Sequence, residues 1–140
     1  MAALNPYLNF NGNAEEVFDF YKSVFGGEYA MVMRYKDAPQ EHQMGESDGE
    51  KIMHMSLPIG EHTILMGSDW PAEYGKPIEG TNVTISISAD SKEDADRLFN
   101  GLAEGGQATM PMSDTFWGSY FGMLKDKVGI HWMVSFDEIK

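Results

Sequence analysis

The stretch from Pro6 to Glu28, PYLNFNGNAEEVFDFYKSVFGGE, decides the fold, because the same order of signals returns later in the chain. Pro6 to Phe10 reads as a short strand, being apolar and aromatic with turn residues behind it. Asn13 is a good helix N-cap, and Glu16 three residues on completes a capping box. Val17, Phe20, Tyr21 and Val24 then follow the i, i+3, i+4, i+7 stripe of an amphipathic helix. Gly26 and Gly27 stop that helix.

Outward from this stretch, Tyr29 to Tyr35 reads as a strand. Residues 36–50, KDAPQEHQMGESDGE, are polar and aperiodic and read as a long loop. Lys51 to Leu57 and His62 to Met66 form a hairpin over the turn PIGE. Ser68 to Gly80 holds several strand-breaking residues and reads as a linker.

The plan then repeats. Asn82 to Ala89 alternates polar and apolar residues, as a half-buried strand does. Ser91 caps a second helix, with Asp94 at its N3 position. Ala95, Leu98, Phe99 and Leu102 form its apolar stripe, and Gly105 and Gly106 stop it. A shift of 79 residues lays Phe20 on Phe99, the two glycine pairs on each other, Met31 on Met110 and Met33 on Met112. The expectation is an α+β fold of two tandem βαβββ modules, each too small to bury its own face alone. Module 1 covers about residues 5–70 and module 2 about 80–137 of a single domain spanning 1–140.

Composition narrows the function. Ten basic against 22 acidic residues give a net charge of −12, which argues against nonspecific binding to nucleic acid or to an anionic membrane. The chain has no cysteine, which removes disulfides, thiolate catalysis and cysteine-ligated zinc. The N-terminus has neither the basic start nor the apolar run of a signal or anchor. A soluble cytoplasmic protein is the expectation.

Two βαβββ modules in this length resemble the vicinal oxygen chelate superfamily of glyoxalases, bleomycin-resistance proteins and dioxygenases. The match sharpens to its PhnB-like branch. It is carried by PYLNFNGNAEEVFDFYKSVFGGE (6–28), by the MHMSL and ILMGSD strands (53–69) and by TFWGSYFGMLKDKVGIHWMVSF (115–136). The resemblance implies a cupped mixed β-sheet with the helices outside and a homodimer. It makes Asp114 to Trp132 the aromatic loop and closing hairpin of module 2, with Lys125 to Val128 as the turn. His131 and Trp132 then lie on opposite faces of the last strand.

Metal-dependent members of the superfamily carry four ligands, usually His or Glu. Carried over, those positions fall on Pro6, on Leu65 or Met66, on Thr84 and on Met133. None suits a hard divalent ion, since a thioether favours Cu(I). No cofactor and no metal is therefore expected at the usual place. A displaced site would have to draw on His54, His131 and Asp69.

The remaining candidates have two readings each. His54 is assigned by hairpin parity to the same face as Leu65, either as general base or ligand hydrogen-bonder or as a structural histidine. His131, sharing a face with Met133, has the same pair of readings. Asp69 is a turn-former or a carboxylate at the mouth of the cup. Phe116, Trp117 and Tyr120 either stack on a ligand or belong to the core or a dimer interface. His42 and His62 read as surface residues. The functional expectation is a small-molecule binding protein with an aromatic and methionine-lined pocket. The alternative is a lyase, isomerase or dioxygenase-type enzyme using a displaced metal or His54 as base. A methyltransferase is disfavoured, because no glycine-rich strand-to-helix turn is present for a nucleotide-type cofactor.

Overall fold

The computed structural model describes residues 2–38, 49–71 and 74–137. The chain divides into two compact units, Met1–Ile78 and Glu79–Lys140. In the first, β1 (Tyr7–Phe10), α1 (Ala14–Phe25), β2 (Met31–Arg34), β3 (Ile52–Ile59) and β4 (Thr63–Asp69) follow in order. In the second come β5 (Ile85–Ser88), α2 (Lys92–Ala103), β6 (Gln107–Asp114), β7 (Ser119–Lys125) and β8 (His131–Asp137). The ladders close as two four-stranded sheets, ordered β1-β4-β3-β2 and β5-β8-β7-β6. In each, the first strand runs parallel to the last and the other pairs are antiparallel. Two βαβββ modules are thus present, as the repeat predicts.

Each helix buries one stripe against its own sheet. In α1 that stripe is Ala14, Val17, Phe18, Tyr21 and Val24. Phe18, not Phe20, is the core residue; Phe20 is half-buried beside the Tyr21 ring. The reason is on β4. Gly67 has no side chain, and a Cβ there would lie 2.7 Å from the Phe18 ring. Phe18 fills that space and meets Phe10 edge to face. In α2 the buried stripe is Ala95, Leu98, Phe99 and Leu102, as expected. Gly122 plays the part of Gly67, since a Cβ on it would meet Met112 and Phe99.

The offset between modules is not constant. The helices begin at Ala14 and Lys92 and end at Phe25 and Ala103, an interval of 78 at both ends. From the glycine pairs onward it is 79, because Glu104 is inserted between α2 and Gly105, whereas Gly26 directly follows α1. Tyr21, rather than Phe20, is therefore the counterpart of Phe99. The match of Met31 with Met110 holds in facing: Met31 pairs with Ser56 and Met110 with Met123, both turned away from the helix. That of Met33 with Met112 does not. Irregular register between Met110 and Ser113 turns Met112 under α2 towards Gly122, as a bulge does.

Smaller corrections concern ends. The first hairpin turns tighter than PIGE, since Pro58 pairs with Ile64 and Ile59 with Thr63. Lys125 is the last residue of β7, and the turn runs through Asp126 and Gly129 instead. Residues 39–48, most of the expected long loop, lie outside the described residues, as does His42.

Candidate functional site

Alternation along the strands gives every sheet a helix face and a helix-free face. In the first module the helix face is fixed by Leu8, Met55, Leu57 and Leu65, all nearly or fully buried. Leu57 pairs with Leu65 and Met55 with Gly67, so His54, Ser56 and Pro58 of β3 and Ile64, Met66 and Ser68 of β4 occupy the other face. There His54 stands with Ser56, Met66 and Ser68, beside Tyr7 and Asn9 of β1 and Met31 and Met33 of β2. His54 and Leu65 are thus on opposite faces. Leu65 is 1% exposed and belongs to the core.

Among the described residues His54 has one partner on this face. The Tyr7 hydroxyl lies 3.3 Å from His54 Nδ1, and their rings are 5.6 Å apart. Tyr7 itself is 43% exposed. The expected role of Asp69 at a pocket mouth is not what its geometry shows. It is 1% exposed and shares the helix face with Phe10. One carboxylate oxygen accepts from the Gly12 and Ala14 amides and the other from the Ile52 amide, all at 2.9 Å. It ties the start of α1 to the start of β3. The side chain of Asn13 makes no capping bond, so the expected capping box is replaced by this distant carboxylate. A displaced metal site cannot draw on Asp69, whose oxygens are engaged beneath the sheet.

In the second module Leu124, Trp132 and Val134 mark the helix face. The Trp132 indole donates to Asp126 at 2.8 Å. His131 faces the other way, opposite Lys125, and Met133 faces Met123. The parallel register pairs Ser86 with Met133, and carried two residues back, to the position just before β5, it sets Thr84 beside His131. Phe121 and Ser135 continue the same face. Tyr120 does not belong to it. Its hydroxyl donates to Asp96 of α2 at 2.6 Å, which holds its ionisation above the ordinary phenol range, and the Lys92 ammonium lies over its ring. Phe116 and Trp117 occupy the loop before β7, 97% and 58% exposed. Their rings meet edge to face, and Trp117 leans on Phe121 at 5.9 Å. Trp117 thereby reaches the helix-free face while Phe116 points outward. His62 is exposed at the hairpin tip, as expected.

The residues at the superfamily's ligand positions do not fit a divalent ion. Pro6 offers only its carbonyl, already accepting from the Met66 amide, and Leu65 is in the core. Met66, Thr84 and Met133 supply two thioethers and a hydroxyl, a poor set for a hard cation. Among the described residues no three His, Asp or Glu side chains are grouped so that they could hold a metal ion.

Sequence reasoning missed Tyr7, Lys125, Met123 and Phe121 as members of these faces. The signal was available in the parity of β7, once Leu124 is taken as core.

The profile of the Glyoxalase/Bleomycin resistance protein/Dioxygenase superfamily matches residues 3–134. Protein PA1353 from Pseudomonas aeruginosa, a solved structure, is 39% identical, covers 98% of each chain and superposes with a TM-score of 0.86. A PhnB protein from Bacillus cereus, described provisionally as a 3-demethylubiquinone-9 3-methyltransferase, shares 24% identity over 96% of this chain and 99% of its own, with a TM-score of 0.76. Protein YjdN of Escherichia coli K12 is 27% identical over 94% of this chain and 93% of its own length.

Proposed function

Because the chain belongs to the Glyoxalase/Bleomycin resistance protein/Dioxygenase superfamily, we propose that it binds a small molecule on the helix-free faces of its sheets and does so without the superfamily's usual metal. One observation carries this. The chain has 22 acidic residues, yet the helix-free positions of β1, β3, β4 and β5, and those of β8 through Ser135, carry none. They carry Met, Ser, Tyr, Asn, Pro, Ile and one histidine per module instead, with Thr84 just before β5. Such surfaces suit an apolar ligand oriented by a few hydrogen bonds. The donor set at the superfamily's ligand positions supports the absence of a metal. A thermal-shift screen of a metabolite library, followed by NMR of any hit, tests the binding. The expected result is stabilisation by one chemical class and shifts at His54, His131 or their strand neighbours. Hits that shift only exposed loops overturn it. Metal analysis of protein purified without chelator tests the second half, which a stoichiometric ion refutes.

A second reading, a lyase or isomerase using His54 as base, is favoured by the Tyr7 contact. A hydroxyl at Nδ1 fixes the ring and leaves Nε2 to face a ligand. In that case His54→Gln abolishes turnover but spares binding.

The same proposal includes a homodimer. Trp117 and Phe116 are exposed aromatics of the kind that anchor interfaces, and among the described residues β2 and β6 lie at sheet edges within their units. Light scattering is expected to give a dimer, and Trp117→Ala to weaken it. No nucleic-acid or membrane partner is proposed. No helix among the described residues is long and apolar enough to cross a membrane. The cysteine-free composition supports a cytoplasmic location.

A further inference from the structure

The helix-free face of the second sheet is layered. Pairing across the strands puts His131, Lys125 and Gln107 in one row, and the β5–β8 register carried one residue before Ile85 adds Thr84. The next row is Ser86, Met133, Met123 and Met110. Beyond it lie Ser88, Ser135, Phe121 and Ser113, with Trp117 against Phe121. Successive rows on one face are two residues apart, roughly 7 Å along the strands. Hydrogen-bond donors therefore sit at one end, thioethers in the middle, and aromatic rings about 14 Å from the donors.

The donor row is unspent. Among the described residues, the side chains of Thr84, Lys125 and His131 make no hydrogen bond and no ion pair, although each is half-buried. That is notable for Lys125, because acidic residues outnumber basic ones by 22 to 10. An ammonium with no carboxylate against it is available to meet an anionic ligand. The nearest buried carboxylate, Asp126, turns to the other side, accepting from Val128, Ile130 and the Trp132 indole.

We propose that this row is a subsite for the carboxylate of an organic anion whose apolar or aromatic body lies over Met123 and Met133 towards Phe121. Lys125 and His131 are adjacent across the β7–β8 pair, so one carboxylate bridges them, with the Thr84 hydroxyl beside His131. This rests on the small-molecule binding proposed above and names its ligand class.

The probe is 4-phenylbutyrate, with 4-phenylbutanamide as its neutral counterpart, followed by two-dimensional amide NMR on the full chain. The acid is expected to shift signals around Lys125, His131 and Met133. Lys125→Gln weakens it about ten- to hundredfold, the range for a lost charged hydrogen bond. Lys125→Arg retains binding, and a thermal melt confirms that both variants fold. The amide binds the wild-type chain no better than the acid binds Lys125→Gln. Equal affinity for acid and amide overturns the anion subsite while leaving a binding face in place. So does unchanged affinity in Lys125→Gln, or shifts confined to the first sheet. Absence of any shift by the acid refutes the subsite as well, and the library screen then judges the broader reading on its own.

Discussion

In the first module the start of the helix is held by a carboxylate 55 residues further along the chain, Asp69 on the Ala14 amide. In the second it is held by its immediate neighbour, with Ser91 Oγ accepting from the Asp94 amide at 3.0 Å. The second module also has a buried aspartate, but Asp126 acts locally, on amides two and four residues away and on an indole six away. The two modules thus use the same chemistry, a buried carboxylate fed by three N–H groups, for different purposes. One joins a helix to a sheet, and the other stiffens a hairpin turn. Similar sequence repeats need not share their anchoring contacts.

Asp69→Ala should be the most damaging change, costing about 3–5 kcal/mol in urea unfolding, since it strands three amides, two of them buried. Asp69→Asn should recover little of this, because its NH2 group must face one of the donors. Asp126→Ala follows at about 2–3 kcal/mol, read from the same transition and from Trp132 fluorescence. If it proves costlier than Asp69→Ala, the ranking of a helix-to-sheet tie above a turn clamp is wrong. Ser91→Ala is expected to cost about 1 kcal/mol, as N-cap losses do. Asn13→Ala should stay within about 0.5 kcal/mol, since the Asn13 side chain makes no capping bond to lose. Equal costs at Asn13 and Ser91 would erase the contrast between distant and local capping. The smallest effect concerns pH. A hydrogen bond from Arg97, aided by the Asp90 amide, holds the Asp94 carboxyl below its ordinary range. Its contribution is present above the ordinary carboxylate pKa and lost as pH falls through the lowered one. Arg97→Gln should remove a few tenths of a kcal/mol (roughly 0.3–0.5) at neutral pH and nothing in strong acid.

What could be read from the sequence divides along the same line. Ser91 and Asp94 are three residues apart, so their contact is visible in the chain itself. Asn13 and Glu16 present the same pattern, and it fails because a stronger acceptor arrives from β4. The βαβββ repeat, both helices and the opposite facing of His131 and Trp132 follow from period alone. Phe18 against Phe20 was not legible, because the decision lies with Gly67, a residue on another element. Placing His54 with Leu65 was an error of parity, since antiparallel partners Leu57 and Leu65 define the face and His54 is an odd number of residues from Leu57. Lys125 was hidden by assigning it to the turn.

The position of Asp69 also predicts an order of folding events. The amides of Gly12 and Ala14 gain their acceptor only after β4 has formed and docked beside β1, so this end of α1 is fixed late. The α2 cap needs only four consecutive residues and is available as soon as the helix nucleates. Contacts of long sequence separation are the slow ones to close. Asp69→Asn should therefore act mainly by raising the unfolding rate, whereas Ser91→Ala should lower the folding rate. A chevron for each variant would show whether the second half of this chain leads and the first half waits for its last strand.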